Sequence, residues 1–284
     1  MTTLLSTAPT PSSPPPPDRP AKPPHRFVRG ADLVAAEWIK FWSLRSTYLA
    51  LLAAAVATPG IAMIVANDNV GYLRAGQPHG TIDVSPLAIS FRGLALAQLI
   101  VGVLGALTVT GEFGSGSIRA TFVAVPRRSG TLLAKAAVVG VVMLVFGQLL
   151  AFGSFLGTQA VFNPVHLGLS AAAPGVPRAV FGAGCYLAVI AVVGVGIGAL
   201  VRSTAGAVAT VAGYFFLLPQ VTSALPRPWR DWTADALPAV SAQQISSLHP
   251  DPDFLSVGHS YLLLLSYAVA VPLAGILLVR QRDA

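Results

Sequence analysis

Charge is scarce in this chain. Charged residues account for 10% of its 284 residues and hydrophobic residues for 54%. A soluble globular domain carries about 25% charged residues. The composition therefore excludes a large soluble domain and predicts a protein whose main solvent is lipid.

The chain contains a single cysteine, Cys185. An internal disulfide and a cysteine-based zinc site are both excluded, and the five histidines show no metal-ligand spacing. Cys185 falls within an apolar stretch, where a thiol suits a small buried packing role. We expect neither a disulfide nor a metal site in this protein.

The first residues lack the apolar core of a signal peptide. Residues 1–24 are rich in proline, with an unbroken run at positions 14–17. A segment of this composition cannot bury a core. We predict a disordered, proline-rich tail over residues 1–30 and a first span that serves as an uncleaved anchor.

Long hydrophobic runs, in contrast, are frequent. A membrane-spanning helix needs roughly 20 mostly apolar residues. Six runs meet this requirement, near residues 48–66, 91–110, 136–155, 180–201, 205–225 and 261–279. We predict an all-α membrane protein with a six-helix transmembrane domain over residues 31–284.

The middles of these runs contain no Asp, Glu, Lys, Arg or His. Ion-coupled carriers usually need such groups at membrane depth, so their lack argues against a proton pump. A nucleotide site is missing too, because the Gly/Ser run at 114–117 is not followed by the Gly-Lys-Ser/Thr of a P-loop. Active transport by this chain would therefore need energy from another subunit.

Basic residues are unevenly distributed over the predicted loops. With the N-terminus inside, 13 of the 18 Lys and Arg residues fall in cytoplasmic segments and 5 in outer segments. Positive residues favour the cytoplasmic side of short loops. We predict a multi-pass protein of the bacterial plasma membrane with both termini in the cytoplasm. Because the basic residues cluster beside span ends, they do not indicate a nucleic-acid partner.

Residues 32–45 form an amphipathic pattern ahead of the first span. On a helix, Glu37 and Lys40 fall opposite a broad face of bulky side chains, and Asp32 is placed to cap the first turn. The bulky face consists of Val34, Trp38, Ile39, Phe41 and Trp42. The pattern predicts an interfacial helix. This helix is either a plain anchor or an elbow that transmits movement into the first span.

The segment between the second and third spans holds most of the remaining polar residues. Its glycines predict a flexible exit from the second span, Ser117 can cap a short helix, and Pro126 ends that helix. Glu112 is the only acid in the segment, so we expect it to pair with Arg119 or Arg128. The segment is either an ordinary basic loop or a rigid peg of about two turns that a cytoplasmic partner grips.

Small residues recur at helix-packing spacing within the spans. Gly153 and Gly157 form one pair, and Gly194 and Gly198 form another. Such pairs let helix backbones approach closely. We expect packing within one chain, with a subunit interface as the alternative.

Proline and tryptophan mark further features. Pro59 should kink the first span, and Pro219 should bend the fifth. In the last outer loop, Trp229 and Trp232 suit interfacial anchors. Pro238 starts a predicted helix through residue 248, which is either a lid or re-entrant helix on the outer face or part of a simple surface loop.

Several of these segments together resemble bacterial ABC-2 type permeases. Glu37-x-x-Lys40 and Arg45-Ser46-Thr47 are similar to the opening of that family. The family's loop is matched by Gly-Glu-Phe-Gly-Ser-Gly-Ser-Ile-Arg-Ala-Thr at 111–121, Pro126-Arg127-Arg128 and Ala134-Lys135, and its usual tail by residues 280–284. Ser117 is a departure, since the family commonly has Thr there, but the hydroxyl is kept. The resemblance covers roughly residues 30–284 and suggests an actinobacterial member.

The resemblance implies a type V exporter-like half-transporter that works as a homodimer or heterodimer. Each half would bind a separate cytoplasmic ABC ATPase, which would hold ATP and Mg, so this chain would bind no cofactor and would not be an enzyme. The elbow helix would include Glu37, Trp38, Lys40, Phe41 and Trp42. The 111–131 loop would couple the ATPase to export through Glu112, Ser117, Arg119, Phe122, Pro126, Arg127 and Arg128. A chain this small would suit export of drugs or small amphiphiles best.

Two other classes of function are alternatives. A membrane enzyme, such as an intramembrane protease or a lipid-modifying enzyme, needs paired catalytic groups at bilayer depth. Ser115 and His259 do not form such a pair, since one falls in a charged loop and the other near the opposite, outer end of the last span. A non-catalytic membrane anchor or sensor would need neither a catalytic pair nor an ATPase.

Overall fold

Long apolar helices make up most of the structure. The computed structural model describes residues 30–76, 85–116, 128–226 and 229–282, and within these ranges it contains no β-strand. Six helical segments are long and apolar enough to cross a membrane: Arg45–Arg74, Pro86–Gly114, Ser129–Val165, Val176–Val201, Thr204–Ser223 and Val257–Val279. The expected all-α fold with six helices long and apolar enough to span a membrane is thereby confirmed for the described residues.

The helices are numbered here in chain order. The first four are α1 (Gly30–Ser43), α2 (Arg45–Arg74), α3 (Pro86–Ser90) and α4 (Leu94–Gly114). They are followed by α5 (Arg128–Phe162), α6 (Val176–Val201), α7 (Thr204–Ala212) and α8 (Leu218–Ser223). The last three are α9 (Trp229–Asp235), α10 (Pro238–Ser246) and α11 (Val257–Arg282). A π-helical turn, Gly213–Leu217, joins α7 to α8.

The bundle has two distinct ends. The end that we call the α1 end contains α1, the first turns of α2 and α5 and the last turns of α4, α6 and α11. The opposite end, called the α10 end, contains α3, α9, α10 and the other ends of the long helices.

Helix α6 is the centre of the bundle and packs against α4, α5, α7, α10 and α11. Its glycines allow this because they let neighbouring backbones touch. A Cβ at Gly194 would lie 2.1 Å from the carbonyl oxygen of Gly102 on α4, and a Cβ at Gly105 would lie 2.1 Å from that of Ala191 on α6. The close contact between α4 and α6 therefore depends on residues without side chains.

The four glycines singled out for packing differ in their surroundings. A Cβ at Gly198 would lie 2.6 Å from the carbonyl oxygen of Ala106, so Gly194 and Gly198 both face α4 closely. A Cβ at Gly157 would lie 3.1 Å from the sulfur of Met63. Gly153 has no described atom within 4 Å of its Cβ position. Among the described residues, Gly153 therefore lies on an open face of α5.

Pro59 and Pro219 have different effects on the helices that contain them. Helix α2 continues without a break through Pro59. In the fifth span the irregularity is the π-helical turn, and Pro219 lies in the first turn of α8 that follows it. Proline lacks the N–H that would bond to the carbonyl one turn earlier. The wider π turn accompanies this lost hydrogen bond.

Helix α10 begins at Pro238, as predicted, and ends at Ser246, two residues before the expected end. It packs against α6 and α11. The guanidinium of Arg178 on α6 donates a hydrogen bond of 2.6 Å to the carbonyl of Ser247. Ile245 is fully buried. This region is thus a packed cap on the bundle and not a simple surface loop, while Trp229 and Trp232 on α9 remain exposed.

Candidate functional site at the α1 end

One face of α1 is buried against the bundle, and it is not the face that the sequence pattern indicated. Glu37 and Phe41, one helical turn apart, are only 4% and 3% exposed. Trp38 and Ile39 are 46% and 69% exposed. The sequence pattern places Glu37 opposite a face that includes Phe41, whereas in the structure the two residues lie on the same buried side of α1. Apolar side chains can face lipid as well as protein, so hydrophobicity alone does not identify the packed side of a helix beside a membrane.

Glu37 is buried because it meets a lysine from another helix. The Lys135 ammonium on α5 lies 2.5 Å from Oε2 of Glu37 and 3.0 Å from Oε1 of Glu112 on α4. The Lys40 ammonium on α1 lies 2.8 Å from Oε1 of Glu37 and 3.1 Å from Oε1 of Glu112. These residues form a closed set of charge-assisted hydrogen bonds, which we call the ion cluster.

The ion cluster carries no net charge but is unevenly buried. The side chains of Glu37 and Lys135 are 3% and 7% exposed, whereas that of Lys40 is 41% exposed. Removing one member of a buried pair leaves an uncompensated charge and costs about 3–5 kcal/mol. The Glu37–Lys135 pair therefore holds α1 firmly against α5.

The charge state of Lys40 follows from its neighbours. Partial burial lowers the pKa of Lys40, but the hydrogen bonds and negative charges of Glu37 and Glu112 outweigh that effect, and the pKa of Lys40 is raised above its ordinary value. Lys40 is thus positively charged throughout the physiological pH range.

Glu112 has partners that the sequence reading did not anticipate. It pairs with Lys40 and Lys135. Of the two partners that were expected, Arg119 and the side chain of Arg128 lie outside the described residues. Glu112 and Lys135 are 23 residues apart and Glu37 and Lys135 are 98 apart. Periodicity within a single helix carries no signal for such pairs.

Most of the other predicted coupling residues lie in the segment between α4 and α5. Ser117, Arg119, Phe122, Pro126 and Arg127 all lie outside the described residues, and Arg128 is described only as the first residue of α5. The cluster nevertheless joins the helices on both sides of residues 117–127, since Glu112 is near the end of α4 and Lys135 is in the second turn of α5.

The predicted elbow segment corresponds to α1. The helix starts at Gly30, so Asp32 lies in its first turn and is not its N-cap. A single non-helical residue, Leu44, separates α1 from α2. Trp42 stacks edge-on against Phe41 and lies 5.7 Å from the ring of Tyr48 on α2. These contacts tie α1 to the start of the first span.

The end of α4 is also attached to α6. The guanidinium of Arg202, which follows α6, lies 5.2 Å from the centre of the Phe113 ring. A cation over an aromatic face at this distance is attracted to it. Arg202 has a φ of 58°, the left-handed conformation that ends α6 before Ser203 caps α7. Glu112 and Phe113 thus connect α4 to three other helices.

A cavity of about 450 Å³ lies beside the ion cluster. Glu37, Lys40 and Glu112 form its polar side, and the rest of its wall is mainly apolar and includes Phe41, Leu107, Val138 and Val139. The space between α1, α4 and α5 is thus not filled by protein.

Comparison with known proteins does not assign this chain to a family. No known family matches the chain, and no curated protein sequence matches it significantly.

Proposed function

We propose that this chain is the permease subunit of an ATP-driven ABC-2 type exporter. In this proposal a separate cytoplasmic ABC ATPase binds the α1 end and drives export through the 111–131 loop, with a second permease subunit completing the transporter. The observation that carries the proposal is the ion cluster, because it fixes both helices that flank the loop to each other and to α1.

A loop can transmit force only if both of its attachment points are firm. Loops are usually the least stable part of a fold. Here Glu112 near the end of α4 and Lys135 in α5, on the two helices that flank residues 117–127, are 3.0 Å apart and share a hydrogen bond. A displacement of the loop would move α4 and α5 together, and through Glu37 it would move α1.

Helix α1 has the features of an elbow in this proposal. Its inner side carries Glu37 and Phe41, and its outer side presents Trp38 and Ile39. Trp favours the headgroup level of a bilayer. Because Leu44 alone separates α1 from α2, movement of α1 in the plane of the membrane would turn or tilt the first span.

The alternatives receive less support from the described residues. Ser115 is next to the end of α4, whereas His259 is in the first turn of α11, so they lie at opposite ends of the bundle. The described residues contain no group of His, Cys, Asp and Glu side chains that could hold a metal ion. A passive anchor gains nothing from a buried ion cluster, which costs desolvation energy to form.

The proposal is tested by replacing residues 118–125 with a Gly/Ser linker of equal length. The matched control replaces residues 77–84, an equally long segment that connects α2 to α3 in the sequence, with the same linker. Each variant is expressed together with a cytoplasmic ABC ATPase that co-purifies with the wild-type chain, and co-purification and ATP hydrolysis are measured. We expect the 118–125 variant to lose the ATPase and the 77–84 variant to keep it. If the 118–125 variant keeps both binding and hydrolysis, the coupling role is wrong.

A further inference from the structure

A larger cavity lies at the α10 end, far from the ion cluster. Its volume is about 740 Å³, and it is enclosed by α3, the first turns of α4 and α6, α10 and the segment after α10. Sites for small molecules commonly measure about 300–1,000 Å³. The cavity is therefore large enough for a drug-sized ligand.

The buried polar lining of this cavity is a hydrogen-bonded pair. The hydroxyl of Tyr186 on α6 donates to Oε1 of Gln98 on α4. The two side chains belong to residues that are only 3% and 8% exposed. No described residue accepts a hydrogen bond from the amide nitrogen of Gln98. This nitrogen is not among the fully buried polar atoms that lack a partner, so it is accessible from the cavity, and a molecule bound there can supply its acceptor.

Gln244, another glutamine of the same lining, has a structural role. Its Nε2 donates to the carbonyl of Asp251 and its Oε1 accepts from the amide of Asp251, both at 3.0 Å. Its hydrogen-bonding capacity is used to hold the segment that closes the cavity. Gln98 is therefore the deep polar group in the lining that has donor capacity to spare.

The remaining walls indicate an uncharged ligand. Leu87, Phe91, Leu94 and Leu248 provide apolar surface. The acidic, basic and histidine residues of the lining are Arg92, His249 and Asp251, all exposed and of mixed sign. The buried polar groups of the lining are neutral. A ligand with net charge would lose its hydration without gaining a buried partner of opposite charge.

The cavity ends where α4 and α6 touch. Gly102 lies one turn beyond Gln98 on α4, and its carbonyl oxygen would be 2.1 Å from a Cβ at Gly194. Val101 between them is buried as well. The cavity is thus a closed pocket at the α10 end and does not continue through the protomer towards the ion cluster.

We infer that this pocket binds an uncharged, drug-sized amphiphile, whose apolar body contacts Phe91 and Leu87 and whose hydrogen-bond acceptor takes the free N–H of Gln98. The inference concerns binding to one protomer. It stands apart from the ATPase proposal, because it uses none of the residues of the ion cluster.

The test measures equilibrium binding of radiolabelled chloramphenicol to the full chain in lipid nanodiscs without any ATPase. Chloramphenicol is uncharged and combines an aromatic ring with amide and hydroxyl groups. We expect saturable binding of one molecule per chain, with no competition from the cation tetraphenylphosphonium. Loss of one hydrogen bond to the ligand should raise the Kd of Gln98→Leu about tenfold.

Gln148→Leu is the matched control, because Gln148 is a glutamine of α5 whose Nε2 bonds to the carbonyl of Phe181. Its Kd should equal that of the wild type. Ala95→Phe fills the pocket from α4 and should abolish binding. If Gln98→Leu does not fold, binding by Ala95→Phe tests the inference. Absence of saturable binding, equal Kd values for wild type and Gln98→Leu, or retained binding by Ala95→Phe would each overturn the inference.

Discussion

At the scale of single residues, the most consequential side chain is Lys135. It is the buried cation between two carboxylates that come from different helices, and both contacts are within hydrogen-bonding distance. Lys40 contacts the same two carboxylates but is much more exposed. Burial, and not the number of partners, decides which of the two lysines stabilises the fold.

This difference gives a direct prediction for the two lysines. Lys135→Gln should lower the free energy of unfolding by about 3–5 kcal/mol, because Glu37 would keep its burial and lose its buried partner, while its other partner, Lys40, is largely exposed. Lys40→Gln should lower it by less than about 1 kcal/mol. Thermal and denaturant unfolding of the purified protein in detergent measure both. A double variant, Glu37→Gln with Lys135→Gln, should recover part of the loss. Equal effects of the two lysine variants would contradict this account of the cluster.

The pH dependence of the Lys40 contribution follows from the direction of its pKa shift. A raised pKa in the folded state means that the contribution is fully present below the ordinary value of 10.5 and is lost as the pH rises through the higher folded value. The stability difference between wild type and Lys40→Gln should therefore be constant from about pH 6 to pH 9. A difference that declines within that range would show that Lys40 does not have a raised pKa.

Two glycines test the packing of the central helix. Gly194→Ala places a methyl group where the carbonyl oxygen of Gly102 already lies, so α4 and α6 must separate. We expect a loss of about 1–3 kcal/mol in unfolding free energy. Gly153→Ala is the control, since its Cβ position is open, and should change stability by less than about 0.5 kcal/mol. A larger loss from Gly153→Ala in the monomeric protein would be inconsistent with this packing.

At the scale of elements, hydropathy located the long helices well but could not orient α1. Long apolar runs are recognisable because a helix must satisfy its own backbone in lipid. The packed face of α1 depends on Lys135, which is distant in sequence. The same reason explains why the partners of Glu112 were not foreseen. The π-helical turn before Pro219 depends on how neighbouring helices accommodate one missing hydrogen bond, which a sequence pattern does not encode.

The cap formed by α10 depends on a few polar contacts that can be tested. Arg178→Ala removes the hydrogen bond from α6 to the carbonyl of Ser247 at the end of α10. Amide hydrogen exchange over 238–246 should become faster, because local opening would cost less free energy. Arg74→Ala, at the end of α2 on the same end of the bundle, should leave that exchange unchanged. Unchanged exchange in Arg178→Ala would mean that apolar packing alone holds α10.

At the scale of the whole molecule, the bundle separates two sites. The ion cluster and its 450 Å³ cavity lie at the α1 end, and the 740 Å³ pocket lies at the α10 end. The close contact of α4 with α6 lies between them. This arrangement suits a protein that binds a ligand at one end and receives force at the other, as the proposed function requires. The class of fold followed from the sequence, whereas both sites needed the tertiary arrangement.

The central claim is that force reaches this protein at its α1 end from the cytoplasm, and the most direct test is the orientation of the bundle. Ser43→Cys at the α1 end and Asp253→Cys at the α10 end place single thiols at exposed positions in a Cys185→Ser background. Intact cells are treated with a membrane-impermeant maleimide. We predict that Asp253→Cys is labelled and that Ser43→Cys is labelled only after the membrane is permeabilised. Labelling of Ser43→Cys in intact cells would put the ion cluster outside, where no cytoplasmic ATPase can reach it.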